Sequence, residues 1–392
     1  MAKAVYVGVG SKARKMKKAY IGIGGKARKV KKMYIGVGGK ARLCYSAEAA
    51  KFGTATPLSK YRTLLAGATV GGYALFGGGG YVKGEAIMDA YNASLTRTAA
   101  ASLSVARQGL TAITLGNHAL FVGGQSEFTP FGTVDVYDAS LTRTTATELS
   151  ISRYDSAAAV VGSYALFAGG RGRNGIFTMA QPAVDAYNTS LTRTTATPLP
   201  SNAYACAGGT VGGYAVFSGG SDINSDSTLV ETIGGMEMVR AYDSSLTSSQ
   251  AAPLSCHRAV HSAATIGNHL LFAGGYNDTT GKYLSTVESY DASLTRSTAV
   301  ELSSAKNGLA SATVGEYAMF AGGYKGNSDA AYVATVDAYN TALTKTTMPD
   351  LSVGRYGLAS AVIGDYALFA GGISKIQSTV DKYQDVVDVY SA

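Results

Sequence analysis

A short apolar run, a glycine turn and a second apolar run ending in paired glycines recur along most of this chain. "SAAAVVGSYALFAGG" (156–170) shows the unit. Each run is about five residues long and bounded by glycine, which predicts two antiparallel strands joined by a tight turn. The second run occurs seven times: "GGYALFGGGG" (71–80), "GNHALFVGG" (116–124), "GSYALFAGG" (162–170), "GGYAVFSGG" (212–220), "GNHLLFAGG" (267–275), "GEYAMFAGG" (315–323) and "GDYALFAGG" (364–372). The phenylalanines, from Phe76 to Phe369, fall 45 to 55 residues apart. A third and a fourth strand follow within each repeat, as in "VDVYDASLTRTTATELS" (134–150). Four strands in roughly 50 residues make one blade of a β-propeller.

The two ends of the chain close the count. The last "VDVYSA" stops at Ala392 with no fourth strand after it, whereas "FGTATPLS" (52–59) matches "RTTATPLP" and has no blade before it. The expectation is an all-β, seven-bladed ring closed by that N-terminal strand, so that no edge stays open. The double glycines, the tyrosine of "VDAY" and the Arg four residues past the leucine in "PLSKYR", "SLSVAR", "ELSISR", "PLSCHR" and "DLSVGR" resemble the kelch family. The resemblance covers residues 51–392 and lacks the tryptophan usual after the tyrosine phrase. It implies a fold and leaves function open.

Composition supports strands: 49 Gly, 26 Tyr, 7 Pro and no Trp in 392 residues, with 46% hydrophobic residues. Charge divides the chain. Residues 1–45 hold 13 Lys and Arg and no acidic residue, leaving 21 basic against 26 acidic residues beyond. A basic head on a mildly acidic body points to an acidic partner for the head. Cys44, Cys206 and Cys256 lack paired metal or redox spacing. The start has no apolar segment of signal-peptide length and no stretch is long enough to span a bilayer, so cytoplasmic synthesis without membrane insertion is expected. "NAS" (92), "NTS" (188) and "NDT" (277) fit a glycosylation sequon but read as products of repetition.

The head is itself repetitive. "YVGVGSKAR", "YIGIGGKAR" and "YIGVGGKAR" begin at Tyr6, Tyr20 and Tyr34, each 14 residues after the last. Alternating small and apolar residues, then glycine, then "KAR", predict a small basic β-meander over residues 1–45, set apart from a propeller of 46–392. "GIGGKA" lacks the Ser or Thr of a phosphate loop and no helical pattern follows it. Nucleic acid is not the expected partner, because the tyrosines keep one register, which suits a packed face better than base stacking. The tandem units resemble segments of structural and appendage proteins of bacteriophages that infect Gram-positive bacteria. That resemblance implies a virion protein, assembled in the bacterial host cytoplasm as an oligomer on the particle. Residues 1–45 would dock onto other virion proteins through Tyr6, Lys12, Arg14, Tyr20, Lys26, Arg28, Tyr34, Lys40 and Arg42.

Strand alternation places two kinds of loop on each propeller face. One face carries near-identical turns ("VGGY", "IGNH", "YDASLTR"). The other carries loops that differ between blades, such as "QSEFTPFGT" (125–133), "RGRNGIFTMAQPA" (171–183), "SDINSDSTLVETIGGMEM" (221–238), "YNDTTGKYLST" (276–286) and "YKGNSDAAYVAT" (324–335). Variation among copies of one fold marks the face released from folding constraints. Its candidate ligand-binding residues are Arg62, Arg107, Arg153, Arg258, Lys306 and Arg355, one cation per blade in six of seven, with Tyr61, Tyr154, Tyr204, His257 and Tyr356 beside them. Two readings stand for the cations: a ring at the channel mouth for an anionic glycan, or hydrogen-bonded ties between neighbouring blades. No enzyme, cofactor or metal is expected. His118 and His269 sit in equivalent turns; His257, His261, Cys256 and Tyr204 lack the second tyrosine and extra domain of copper oxidases on kelch-like propellers. "DINSD" (222–226) lacks the glycine and glutamate of a calcium loop. The functional expectation is a non-enzymatic phage virion protein whose propeller binds a host-surface glycan. The alternatives are a capsid or tail decoration and a carbohydrate-active propeller enzyme.

Overall fold

A computed structural model describes the backbone of residues 6–9, 12–15, 19–23, 26–30, 32–37, 40–46 and 50–52, and residues 53–391 other than 81, 175–176, 223–235, 327–330 and 377–379. The chain forms two compact units, Met1–Ala50 with Ala392, and Lys51–Ser391. In the first unit each basic repeat is one antiparallel hairpin: Tyr6–Val9 with Lys12–Lys15, Ala19–Ile23 with Lys26–Val30, and Lys32–Val37 with Lys40–Ser46. The register is the same in all three, with Gly8 opposite Ala13, Gly22 opposite Ala27 and Gly36 opposite Ala41. Repetition in sequence thus becomes repetition in backbone pairing.

The second unit is the expected propeller. Seven four-stranded antiparallel sheets, blades I to VII, span residues 66–99, 111–146, 157–195, 207–250, 262–299, 310–348, and 359–391 with 50–54. Within a blade the innermost strand is small and alternately buried, as in Ala157–Val161, and the second strand, such as Tyr164–Ala168, is buried on both faces after its first residue. The two faces of that second strand serve different neighbours, because successive side chains point opposite ways. Ala165 and Phe167 join a core cluster with Leu120 and Val136 of blade II, while Leu166 and Ala168 join one with Ala215 and Phe217 of blade IV. The hydrophobic core therefore lies between blades.

Closure follows the count made from the repeats. Ala50–Thr54 is the outermost strand of blade VII, beside Val387–Ser391, and Ala55 N–H donates to Val387 O at 2.9 Å. Core residues of blades I and VII, Phe76 and Tyr91 with Leu368 and Val389, share one cluster. In each blade the repeat phenylalanine meets the "VDAY" tyrosine edge to face, at 5.6 to 5.9 Å between ring centroids. Each of those tyrosines then donates its hydroxyl to a carbonyl before the blade: Tyr137 to Ala101 at 2.8 Å, and Tyr91 to Thr56 of the closing segment at 2.9 Å. The paired glycines make room for the neighbouring connection. At Gly123 (φ +64°) a Cβ would lie 2.3 Å from the Arg153 carbonyl oxygen, so no side chain fits.

Candidate functional site

The six repeated cations are structural ties. Arg62 is 1% exposed, and Arg107, Arg153, Arg258, Lys306 and Arg355 are 0% exposed. Each meets a carboxylate of the following blade: Arg62–Asp89, Arg107–Asp135, Arg153–Asp185 and Arg355–Asp388 at 2.8 Å, Arg258–Glu288 at 2.7 Å and Lys306–Asp337 at 3.6 Å. The backbone of the same residue binds the preceding blade. Arg153 N–H donates to Phe131 O and its carbonyl accepts from Gly124 N–H, while its guanidinium reaches Asp185 and Phe167 O in blade III. One residue thus holds two blades, and the proposed cationic ring at the channel mouth is corrected to a set of buried interblade ion pairs. Burial alone would raise the Asp89 carboxyl; Arg62, with hydrogen bonds from Arg97 and Ser59, outweighs it and holds the group below the usual range. Burial pushes the Lys306 ammonium down to about 8, although Asp337 opposes the shift.

Blade IV departs from this rule at both positions together. Ala203 stands where the cation stands elsewhere, and Arg240 replaces the carboxylate. Losing only the cation would leave a buried carboxylate unpaired, which is costly.

The face with varied loops gathers tyrosines instead. Tyr276 and Tyr283 pair across a short hairpin, and Tyr324 bridges to Tyr332 and to Asn307. Ring centroids lie 5.1 Å apart for Tyr276–Tyr283, 5.9 Å for Tyr283–Tyr324, 5.4 Å for Tyr324–Tyr332 and 6.2 Å for Tyr324–Tyr356. The half-buried rings of Tyr283, Tyr324, Tyr332 and Tyr356 line a cleft of about 420 Å³ with Thr63, Leu64, Asn307 and Ile373. The Asn307 Oδ1 atom is buried there with no hydrogen-bond partner.

Beside the cleft is a second cavity of about 590 Å³, which shares Leu64 and Tyr356 with it. Its frame is a ring of backbone. Leu64, Gly109, Asp155, Ala205, Val260, Gly308 and Gly357 hold the same place in the seven connections, all with φ between +53° and +65°. N–H groups donate from one member to the next, for example Gly109 to Leu64 and Asp155 to Gly109 at 3.0 Å, and Leu64 to Gly357 at 3.0 Å across the closure. Asp155 is the charged member of this ring. Burial raises its carboxyl to about 6, although the Arg171 charge opposes the shift. Arg171 enters on a hairpin from blade III, paired opposite Tyr154, and lies over the Tyr204 ring at 3.6 Å from its centroid. Its Nε is buried without a hydrogen-bond partner.

Among the other sequence candidates, Tyr204 and Tyr356 line the central cavity, and Tyr154 is buried beside Arg171. Tyr61 is 57% exposed and stacks on Tyr383 at 6.3 Å. His257 is half-buried, its Nδ1 3.0 Å from Thr279 Oγ1 and its Nε2 3.6 Å from Glu237 Oε1. His261 is buried and held neutral by desolvation and the Arg258 charge, with Nε2 2.8 Å from Ser218 Oγ. The nine docking residues of the head fall on the three hairpins, whose side chains lie outside the described residues, as does most of the "DINSD" segment. Sequence reasoning missed Asp155, Arg171, Asn307 and the tyrosines at 276, 283, 324 and 332. The signal for Asp155 was present: counting six residues past each repeat leucine gives Leu, Gly, Asp, Ala, Val, Gly and Gly.

Comparison with known proteins supports the fold. The kelch motif matches residues 257–293. A solved structure titled "Structure of YjhT" aligns with a TM-score of 0.56 and 14% sequence identity, covering 85% of this chain and 96% of that one. At that identity the likeness concerns the fold, a kelch β-propeller. No curated protein matches the sequence.

Proposed function

We propose that the propeller is a non-enzymatic glycan-binding module, displayed on a phage particle by the basic N-terminal hairpins and directed at a polysaccharide of the bacterial surface. The tyrosine-lined cleft on the varied face carries this reading. Tyrosine combines a flat apolar ring for the carbon face of a sugar with a hydroxyl for its oxygens, and two χ angles limit the entropy lost on binding. The cleft and adjoining cavity fall in the size range of small-ligand sites, roughly 300–1,000 Å³. The display role rests on the threefold basic repeat and its charge, which suits an acidic protein partner.

The test is binding of the full chain to cell-wall polysaccharides purified from a panel of Gram-positive bacteria. Wild type is expected to bind at least one, with Tyr324→Ala weakening it by ten-fold or more. Binding unaffected by Tyr324→Ala would remove the cleft from the account. Particle association is tested by deleting residues 1–45, which is expected to abolish it while the propeller stays folded.

A further inference from the structure

We infer that the central cavity is a subsite for one sugar unit that presents a vicinal diol, with the Asp155 carboxylate accepting both hydroxyl hydrogens and the Arg171 guanidinium donating to a neighbouring sugar oxygen. The inference rests on the glycan reading and adds the chemistry of the unit recognised.

Three observations converge on it. First, Asp155 has a charged side chain where the other ring members are Leu, Ala, Val or Gly. Folding does not need a carboxylate there, since six connections close without one. Second, the carboxylate has no hydrogen-bond donor among the described residues, although it lines the cavity and retains some exposure to it. An ionised carboxylate is an acceptor for up to four hydrogen bonds, and one left without donors in a half-enclosed site is costly. Contrast Asp185 of blade III, which accepts from Arg153, Arg193 and Ser150. Third, Arg171 lines the same cavity and lies over the Tyr204 ring, with no salt bridge to Asp155 among the described residues.

A cation as ligand would have to approach Arg171, and an anion would have to approach Asp155. A neutral polyol meets both groups without repulsion: its hydroxyls donate to the carboxylate and accept from the guanidinium. Tyr204 and Tyr356 supply ring surface in the same cavity. The shared Tyr356 makes this subsite continuous with the tyrosine cleft, so one oligosaccharide can occupy both.

Asp155→Asn tests the inference cleanly. Asn is close to isosteric and tolerates the left-handed conformation at φ +53°, so the variant is expected to fold. It retains one acceptor oxygen and loses the charge. The probe is the tightest-binding polysaccharide of the wall panel, native and after periodate oxidation with borohydride reduction, which cleaves vicinal diols. Binding of the full chain is measured by calorimetry between pH 7.5 and 5. Wild type is expected to lose at least ten-fold in affinity for the oxidised polymer, and to weaken as pH falls through about 6, where Asp155 gains its proton. The other titratable groups facing the cavity are His261, held neutral, Cys206, raised to about 12, and Arg171, Tyr204 and Tyr356, so Asp155 is the group that changes charge in that window. Asp155→Asn is expected to bind at least ten-fold more weakly at pH 7.5 with a flat pH profile. Equal binding by Asp155→Asn, or full binding of the oxidised polymer, overturns the inference. If Tyr324→Ala abolishes binding and Asp155→Asn does not, the cleft reading stands and this one falls. If wild type binds no polysaccharide of the panel, both fall.

Discussion

Arg153 and Asp155 stand two residues apart on the connection between blades II and III, and their charges have opposite fates. Arg153 is fully buried, paired with Asp185, and repeated in kind at five other connections. Asp155 has no counterpart and no donor among the described residues. The first kind of charge is what a closed ring needs: one side chain bound to the next blade, its own backbone bound to the previous one. The second kind costs the fold something and does nothing for closure. Charge that recurs and is satisfied holds this molecule together; charge that appears once and is left open is where a ligand is to be sought.

The largest effect should come from breaking a satisfied pair. Asp185→Ala strands the Arg153 guanidinium in the interior, and a loss of about 3–5 kcal/mol is expected in urea unfolding. The double variant Arg153→Ala, Asp185→Ala should lose less than the two single variants added together, because blade IV already carries the alanine at Ala203 and no carboxylate at Arg240. Equal, small losses in all three would mean that the ties are dispensable. Next is the varied face: Tyr324→Ala should cost about 2 kcal/mol of glycan binding and much less of stability, the reverse of the Asp185 profile.

Asp155→Asn sharpens the comparison most, because its expected sign is opposite. The folded-state carboxyl titrates near 6, above the ordinary value of an unfolded chain. Between those two values the folded protein binds more protons than the unfolded one, so this group's contribution falls as pH rises through the window. Removing the charge should therefore stabilise the protein by about 1 kcal/mol at pH 7.5 and leave it unchanged at pH 4. A destabilised variant at pH 7.5 would place Asp155 with the structural charges. Smallest of all, His257→Ala should stay within about 0.5 kcal/mol of wild type, since the ring is only partly buried and its contacts, with Thr279 and Glu237, lie at the surface.

The ring of blades was readable because each blade repeats the same strand grammar, and the closing strand because "FGTATPLS" is a fourth strand without a blade. The role of the six cations was readable in principle. Their acidic partners occupy the "VDAY" position in the same six repeats, and blade IV changes both, which is the mark of contact. One-dimensional position near a channel mouth could not show that these side chains turn inward. The tyrosine cleft was the least legible. Tyr276 and Tyr324 each follow the paired glycines of blades V and VI, and Tyr283 and Tyr332 each stand four residues before the third strand, but the loops between them differ in length and sequence, and only the folded ring brings the four to one place. Asp155 was hidden for the opposite reason, as a single substitution inside a well-behaved phrase.

The most direct measurement is hydrogen exchange of the full chain with and without the bound wall polysaccharide. Slowed exchange concentrated in the peptides carrying Asp155, Arg171, Tyr276 to Tyr283, Tyr324 and Tyr356, with the turns at 116–118 and 267–269 unchanged, is the predicted result. Protection confined to those turns or to residues 6–46 would contradict the account, because it would place recognition away from the face where the repeats stop repeating.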